Sequence, residues 1–203
     1  MKTILLWLLA LTTCSMILLA VSTEKTEADI ESAPVPSTVA QAPSFTVCSG
    51  TYALCTTATC KPVAGRKRLL SCSCTVQQGS SAGARSCREV PQGPPTAGKT
   101  IPSRYYPIKS TAVCSNSRRW AFCLDKKCTV DPSLSTATCT CTRKSTPKQH
   151  YVVVTDSFSA STCTTDIWSS ATVRDVLQIT GFLQNSQQLK PFPISIIGVE
   201  PAK

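Results

Sequence analysis

The sequence predicts a mostly β, small α+β fold: two tandem homologous six-cysteine, disulfide-stapled modules with one short C-terminal helix. Three observations lead there. Cysteine is abundant, 13 in 203 residues. Twelve of the thirteen fall into two sets of six with matching gaps. Ser, Thr and Val flank the closest pairs, a composition that favours extended chain. Aromatic residues make up 6% of the chain, too few for a large oily core, so cross-links are expected to share the work of stability.

Met1-Lys2 opens the chain as a minimal positive segment, and Thr3 to Val21 carries no charge. Ala20-Val21-Ser22 places small residues where a signal peptidase reads them. Residues 1–22 therefore read as a signal peptide cleaved after Ser22, and the product as exported, secreted or periplasmic. The alternative is an N-terminal membrane anchor, because an uncharged run of this length just spans a bilayer. A lipid on Cys14 is a weaker alternative: Thr13 is bulky for that role, and the apolar run continues past it. Removing the signal leaves twelve cysteines, an even number, which fits a disulfide framework with no spare thiol.

Residues 23–47 read as an acidic Pro/Ser tether, with Glu24, Glu27, Asp29 and Glu31 ahead of Ser-Ala-Pro-Val-Pro-Ser-Thr. Module 1 occupies 48–90 and holds Cys48, Cys55, Cys60, Cys72, Cys74 and Cys87. A linker or long loop follows over 91–113, rich in Pro and Gly. Module 2 occupies 114–165 and holds Cys114, Cys123, Cys128, Cys139, Cys141 and Cys163. Subtracting matching positions gives offsets of 66, 68, 68, 67, 67 and 76. Tyr52-Ala53-Leu54-Cys55 aligns with Trp120-Ala121-Phe122-Cys123, and the C-x-C pairs align with each other. Repetition of that kind is the signature of duplication.

In a strand, residues i and i+2 share a face. Each cysteine of a C-x-C pair should therefore reach a different partner strand. Sequence leaves the connectivity open among fifteen possibilities per set. One of these is a nested scheme joining Cys60 to Cys72, Cys55 to Cys74 and Cys48 to Cys87. Tyr151–Thr155 reads as a strand inside the long last gap of module 2. Residues 166–203 read as a C-terminal helix and apolar tail. The helix is capped by Thr172-x-x-Asp175, places Val173, Val176 and Leu177 on one face, and ends near Gly181 or Asn185. Residues 194–199 form a candidate edge strand.

Charge is unevenly spread. Residues 48–148 contain 16 Lys/Arg against Glu89, Asp125 and Asp131. The candidate anion-binding residues are Arg66, Lys67, Arg68, Arg118, Arg119, Lys126, Lys127, Arg143 and Lys144. Arg104, beside Tyr105 and Tyr106, also joins charge to aromatics. Such clusters suit an anionic polymer or an anionic lipid surface. The competing reading is ordinary solvated loops, with Tyr52 and Trp120 as core.

Catalytic signatures are missing from the sequence. There is no G-x-S-x-G elbow and no phosphate-binding glycine loop, and His150 is the single imidazole, read as a surface residue. No enzyme, no metal and no small-molecule cofactor are expected; the partner is unknown. Zinc on the thiolates is an alternative, disfavoured because C-x2-C knuckles are absent. A double-headed inhibitor of an extracellular hydrolase is a rival reading of the binding role. It would present the loops between Cys60 and Cys72 and between Cys128 and Cys139. A thiol-disulfide oxidoreductase using the C-x-C pairs is the rival from redox chemistry.

Overall fold

The structure is a computed structural model that describes residues 44–108, 110–145, 150–155, 159, 161–189 and 195–199. The signal segment and the acidic residues of the tether lie outside the described residues. The chain is mostly β, held by six disulfides.

The larger sheet is built on two long strands. In the first half, β1 (Thr46–Leu54) and β2 (Thr59–Val63) run along one edge of β3 (Arg66–Gly83). In the second half, β6 (Arg119–Phe122) and β7 (Lys127–Val130) run in the same way along β8 (Thr136–Ser145). β3 and β8 pair antiparallel, with Cys72 opposite Cys139. The strand β4 (Thr100–Arg104) joins β1 to β7 and closes a five-stranded ring of β1, β3, β8, β7 and β4. A short strand, β10 (Ile167–Trp168), extends the sheet beyond β2.

Alternation explains what fills the ring. Leu70, Cys72 and Cys74 on β3 and Ala137, Cys139 and Cys141 on β8 point inward, while the Ser and Thr residues between them lie outside or half-buried. The members of each C-x-C pair reach different strands, as the shared-face argument requires. Cys72 bonds Cys60 and Cys74 bonds Cys55; Cys139 bonds Cys128 and Cys141 bonds Cys123. Cys48–Cys87 and Cys114–Cys163 close the outer loops, so both sets carry the nested pairing. Bridges from the two halves touch: Cys55 Sγ lies 3.6 Å from Cys139 Sγ, and Cys72 Sγ 3.5 Å from Cys123 Sγ. The centre of the protein is thus sulfur and small aliphatic groups.

A second sheet orders β11 (Ser170–Thr172), β9 (Tyr151–Thr155), β5 (Ser110–Cys114) and β12 (Ser195–Val199). β9 spans the residues expected from sequence, and all five are buried. Its two faces serve different clusters. Tyr151 and Val153 pack with Trp120 and Cys114, whereas Val154 joins Ile179, Leu183 and Leu189. Burial on both sides is why the strand reads as an unbroken apolar run. β12 lies at the sheet edge, parallel to β5.

Helix α1 (Val173–Asn185) starts with a capping box in which Thr172 Oγ1 accepts from Asp175 N and the Asp175 carboxylate accepts from Thr172 N. Three expectations need correction. The buried helix face is Ile179 and Leu183, while Val173 and Leu177 are exposed; the apolar stripe begins one turn later than the first valine suggests. Residues 91–113 contain β4 and most of β5 rather than only a linker. The tether is cut short as well, because Thr46 and Val47 belong to β1 and Phe45 packs on Phe182.

Candidate anion-binding surface

Antiparallel register decides which basic clusters meet. On β3, Arg66, Lys67 and Arg68 precede Leu69, which pairs with Thr142 of β8. Arg143 and Lys144 follow Thr142, so they run toward the same end of the sheet. β6 begins at that end, with Arg119 opposite Ser145, Trp120 opposite Lys144 and Ala121 opposite Arg143. Seven of the nine candidate cations therefore share one end of three strands. Arg66, Lys67, Arg68, Arg118, Arg119 and Lys144 are exposed, and Arg143 is half-buried.

Lys126 and Lys127 stand apart at the junction of β6 and β7. Lys126 is half-buried with its ammonium 5.7 Å from the centroid of Phe122, a cation–π contact that employs it internally. Arg118 is partly engaged too, donating through Nη2 to the Thr165 carbonyl at 2.7 Å. Among the described residues, none of the nine is paired with a carboxylate.

Beside this end lies a cavity of about 310 Å³ lined by Trp120, Phe122, Lys144, Ser145, Thr172 and Asp175. Its floor is aromatic. Trp120 stacks on Tyr151 with centroids 6.2 Å apart and meets Phe122 edge-on at 6.4 Å. The Tyr151 hydroxyl donates to Asn116 Oδ1 at 3.2 Å, and burial pushes its pKa up. The buried Trp120 indole N–H has no acceptor among the described residues. Lys144 and Asp175 put one charge of each sign on the lining. The volume is at the lower end of small-ligand cavities, which run from about 300 Å³.

Other residues singled out by sequence have internal roles. Tyr52 and Trp120 are core residues. Tyr52 donates its hydroxyl to the Tyr106 carbonyl at 2.8 Å, and burial pushes its pKa up to about 12. Arg104 does not join the basic surface: it is 1% exposed. Its guanidinium lies 3.4 Å from Asp125 Oδ1 and donates to the carbonyls of Thr46 and Arg85 and to Ser81 Oγ. Nothing in the local Arg-Tyr-Tyr sequence reveals this, because Thr46 arrives from β1 and Asp125 from the turn between β6 and β7.

His150 is exposed and shares a 2.6 Å hydrogen bond between Nδ1 and Ser115 Oγ. Among the described residues no carboxylate is bonded to its ring. Sulfur atoms cluster in two groups, Cys55/Cys128/Cys139 and Cys60/Cys72/Cys123, close enough to hold a metal ion. Each is already oxidised in a disulfide, and a metal requires the thiolate. The C-x-C cysteines are fully buried, out of reach of an external thiol in this conformation. No family model matches the chain, and no curated protein or solved structure does either.

Proposed function

We propose that the protein is an exported, disulfide-stapled structural and binding protein, non-enzymatic, that holds an anionic polymer on the basic end of its larger sheet. The supporting observation is the convergence of Arg66–Arg68, Arg118–Arg119 and Arg143–Lys144 through the β3, β8 and β6 registers. Six disulfides favour an oxidising compartment, and among the described residues no helix is long and apolar enough to cross a membrane. Cross-links keep the loops ordered before binding, which lowers the entropy lost on association. The two cysteine sets read as copies of one module. Both carry the same nested bridges, and equivalent residues, Cys72 and Cys139, face each other across the central pair.

The test is binding of a sulfated polysaccharide or a nucleic acid across a salt series. Counterion release makes log K fall linearly with log salt, by roughly one unit of slope per phosphate-like contact. Replacing Arg66, Lys67 and Arg68 together with Gln should weaken binding and lower the slope by up to about three. An unchanged slope in that variant would reject the patch. Preference for anionic vesicles over free polymer would redirect the reading to a lipid surface.

A second reading has its own support. The two loops expected of a double-headed hydrolase inhibitor are both hairpin tips anchored by a bridge, Cys60–Cys72 beneath residues 64–65 and Cys128–Cys139 beneath residues 131–135. Stoichiometric inhibition of an extracellular hydrolase that is lost on reduction would favour it over polymer binding.

A further inference from the structure

The Cys48–Cys87 bridge differs from the other five in two ways. Cys87 is the one exposed cysteine among the described residues, at the start of a 3-10 turn over Cys87–Glu89. Its partner Cys48 is 3% exposed and receives a hydrogen bond from Arg104 Nη2, 3.0 Å from Sγ. Cys87 is thus the exposed member of the bridge, its sulfur 3.4 Å from the Val47 carbonyl oxygen, while the Cys48 sulfur rests against a buried guanidinium. The outer bridge of the second half is a built-in contrast. Cys163 is half-buried, and among the described residues no cationic group touches Cys114 or Cys163.

We infer that Cys48–Cys87 is a thiol-exchange site, at which an external thiolate attacks Cys87 and Arg104 receives the displaced Cys48 thiolate. In this step the external sulfur forms a bond to Cys87 Sγ while the Cys48–Cys87 bond breaks. The electron pair of the broken bond goes to Cys48 Sγ, so the negative charge passes from the entering to the leaving sulfur. No proton moves, and no separate oxidant is needed. The product is a mixed disulfide at Cys87 and a thiolate at Cys48.

Exchange speeds up as the leaving thiol becomes more acidic and as the attacked sulfur becomes more accessible. A thiolate beside a guanidinium is stabilised by charge-assisted hydrogen bonding. Arg104 is well placed for this role. Its charge is buried, and Asp125 meets it at only one oxygen at 3.4 Å, because Asp125 Oδ2 accepts from Ala84 N at 2.7 Å. Desolvation pulls the Arg104 pKa down, so the guanidinium is under-compensated, and a new anion at Cys48 relieves it. The charged and titratable groups around Cys48 and Arg104 include Asp125 behind the guanidinium, Glu89 in the turn that carries Cys87, and Tyr52 on the same strand as Cys48.

The test uses the full exported chain in its oxidised form, with reduced glutathione at neutral pH as the probe. After acid quench and alkylation, peptide mapping reports which cysteine carries glutathione first. The expected result is glutathione on Cys87 and alkylation of Cys48 before any of the other ten react, with Arg104→Gln slowing this step about tenfold through the leaving-group effect. First reaction at another bridge would overturn the assignment. So would faster exchange in the Arg104→Gln variant, which is what a purely structural arginine would give by loosening the loop. Where Arg104→Gln does not fold, Cys87→Ser leaves Cys48 as a free thiol whose thiolate absorbance is followed against pH. A midpoint below the ordinary cysteine value of about 8.5 supports the role, and one at or above it overturns it.

Discussion

Buried polar groups show most clearly how single residues hold this protein together. Gly83 ends β3 directly against the Arg104–Asp125 pair, and a Cβ there would lie 2.5 Å from Asp125 Oδ1 and 2.7 Å from Arg104 Nη1. Gly83→Ala should therefore destabilise the fold by about 1–3 kcal/mol, the usual result of overpacking, measured by urea unfolding. Gly65 provides the contrast, because nothing lies within 4 Å of its Cβ position and only its positive φ of 69° opposes a side chain. Tyr52 carries a pH dependence. Its folded pKa of about 12 exceeds the ordinary 10, so the folded state keeps a proton that the unfolded chain releases. Stability from this group is complete below pH 10 and is lost as pH rises toward 12, on the order of 3 kcal/mol in total. Tyr52→Phe should flatten part of the alkaline loss in a pH series of melting curves. Tyr105 and Tyr151, whose pKa values burial also raises, contribute to the same alkaline loss.

Elements differ in how much of their position local sequence determines. Helix α1 is announced by Thr172 and Asp175, and the capping box forms as written. Removing the cap in Thr172→Ala should lower stability by about 1 kcal/mol, whereas Leu177→Ala, at a site 67% exposed, should stay within about 0.5 kcal/mol of the parent. Thermal unfolding of the two variants side by side checks both. β9 was legible because a strand buried on both faces has no polar alternation to hide it. The C-x-C geometry was legible because period two is a property of any strand. β4 was not: Thr100–Arg104 follows a Pro/Gly-rich stretch and contains Pro102, so its sequence resembles a linker. It becomes a strand because β1 and β7 offer free edges on either side. The anion-binding clusters were visible one by one, but their convergence depends on β3–β8 register, which no local pattern encodes.

At the scale of the whole molecule, the cysteine count predicts a fully oxidised protein. Intact mass of the exported chain under denaturing, non-reducing conditions should show loss of residues 1–22 and about twelve missing thiol hydrogens, with no alkylation. Alkylated cysteines accompanied by released zinc would put metal chemistry first. Parity of cysteines was readable from sequence, and so was their grouping into two sets. Two separate modules were the natural expectation from that grouping. Sequence did not show that both sets line one ring, because disulfide sulfur buries like any small apolar group and the choice of neighbour is a non-local matter.

The pairing of β3 with β8 also governs how such a chain is made. Synthesised N-terminus first, the leading half exposes the long edge of β3 until β8 emerges some seventy residues later. An unpaired edge of that length is a template for the same segment in a neighbouring copy. The period between the two halves is therefore the vulnerable one, when crowding of unfinished chains favours intermolecular ladders and mispaired thiols. Slow delivery of the second half, or a truncation within it, would leave β3 as a strand donor.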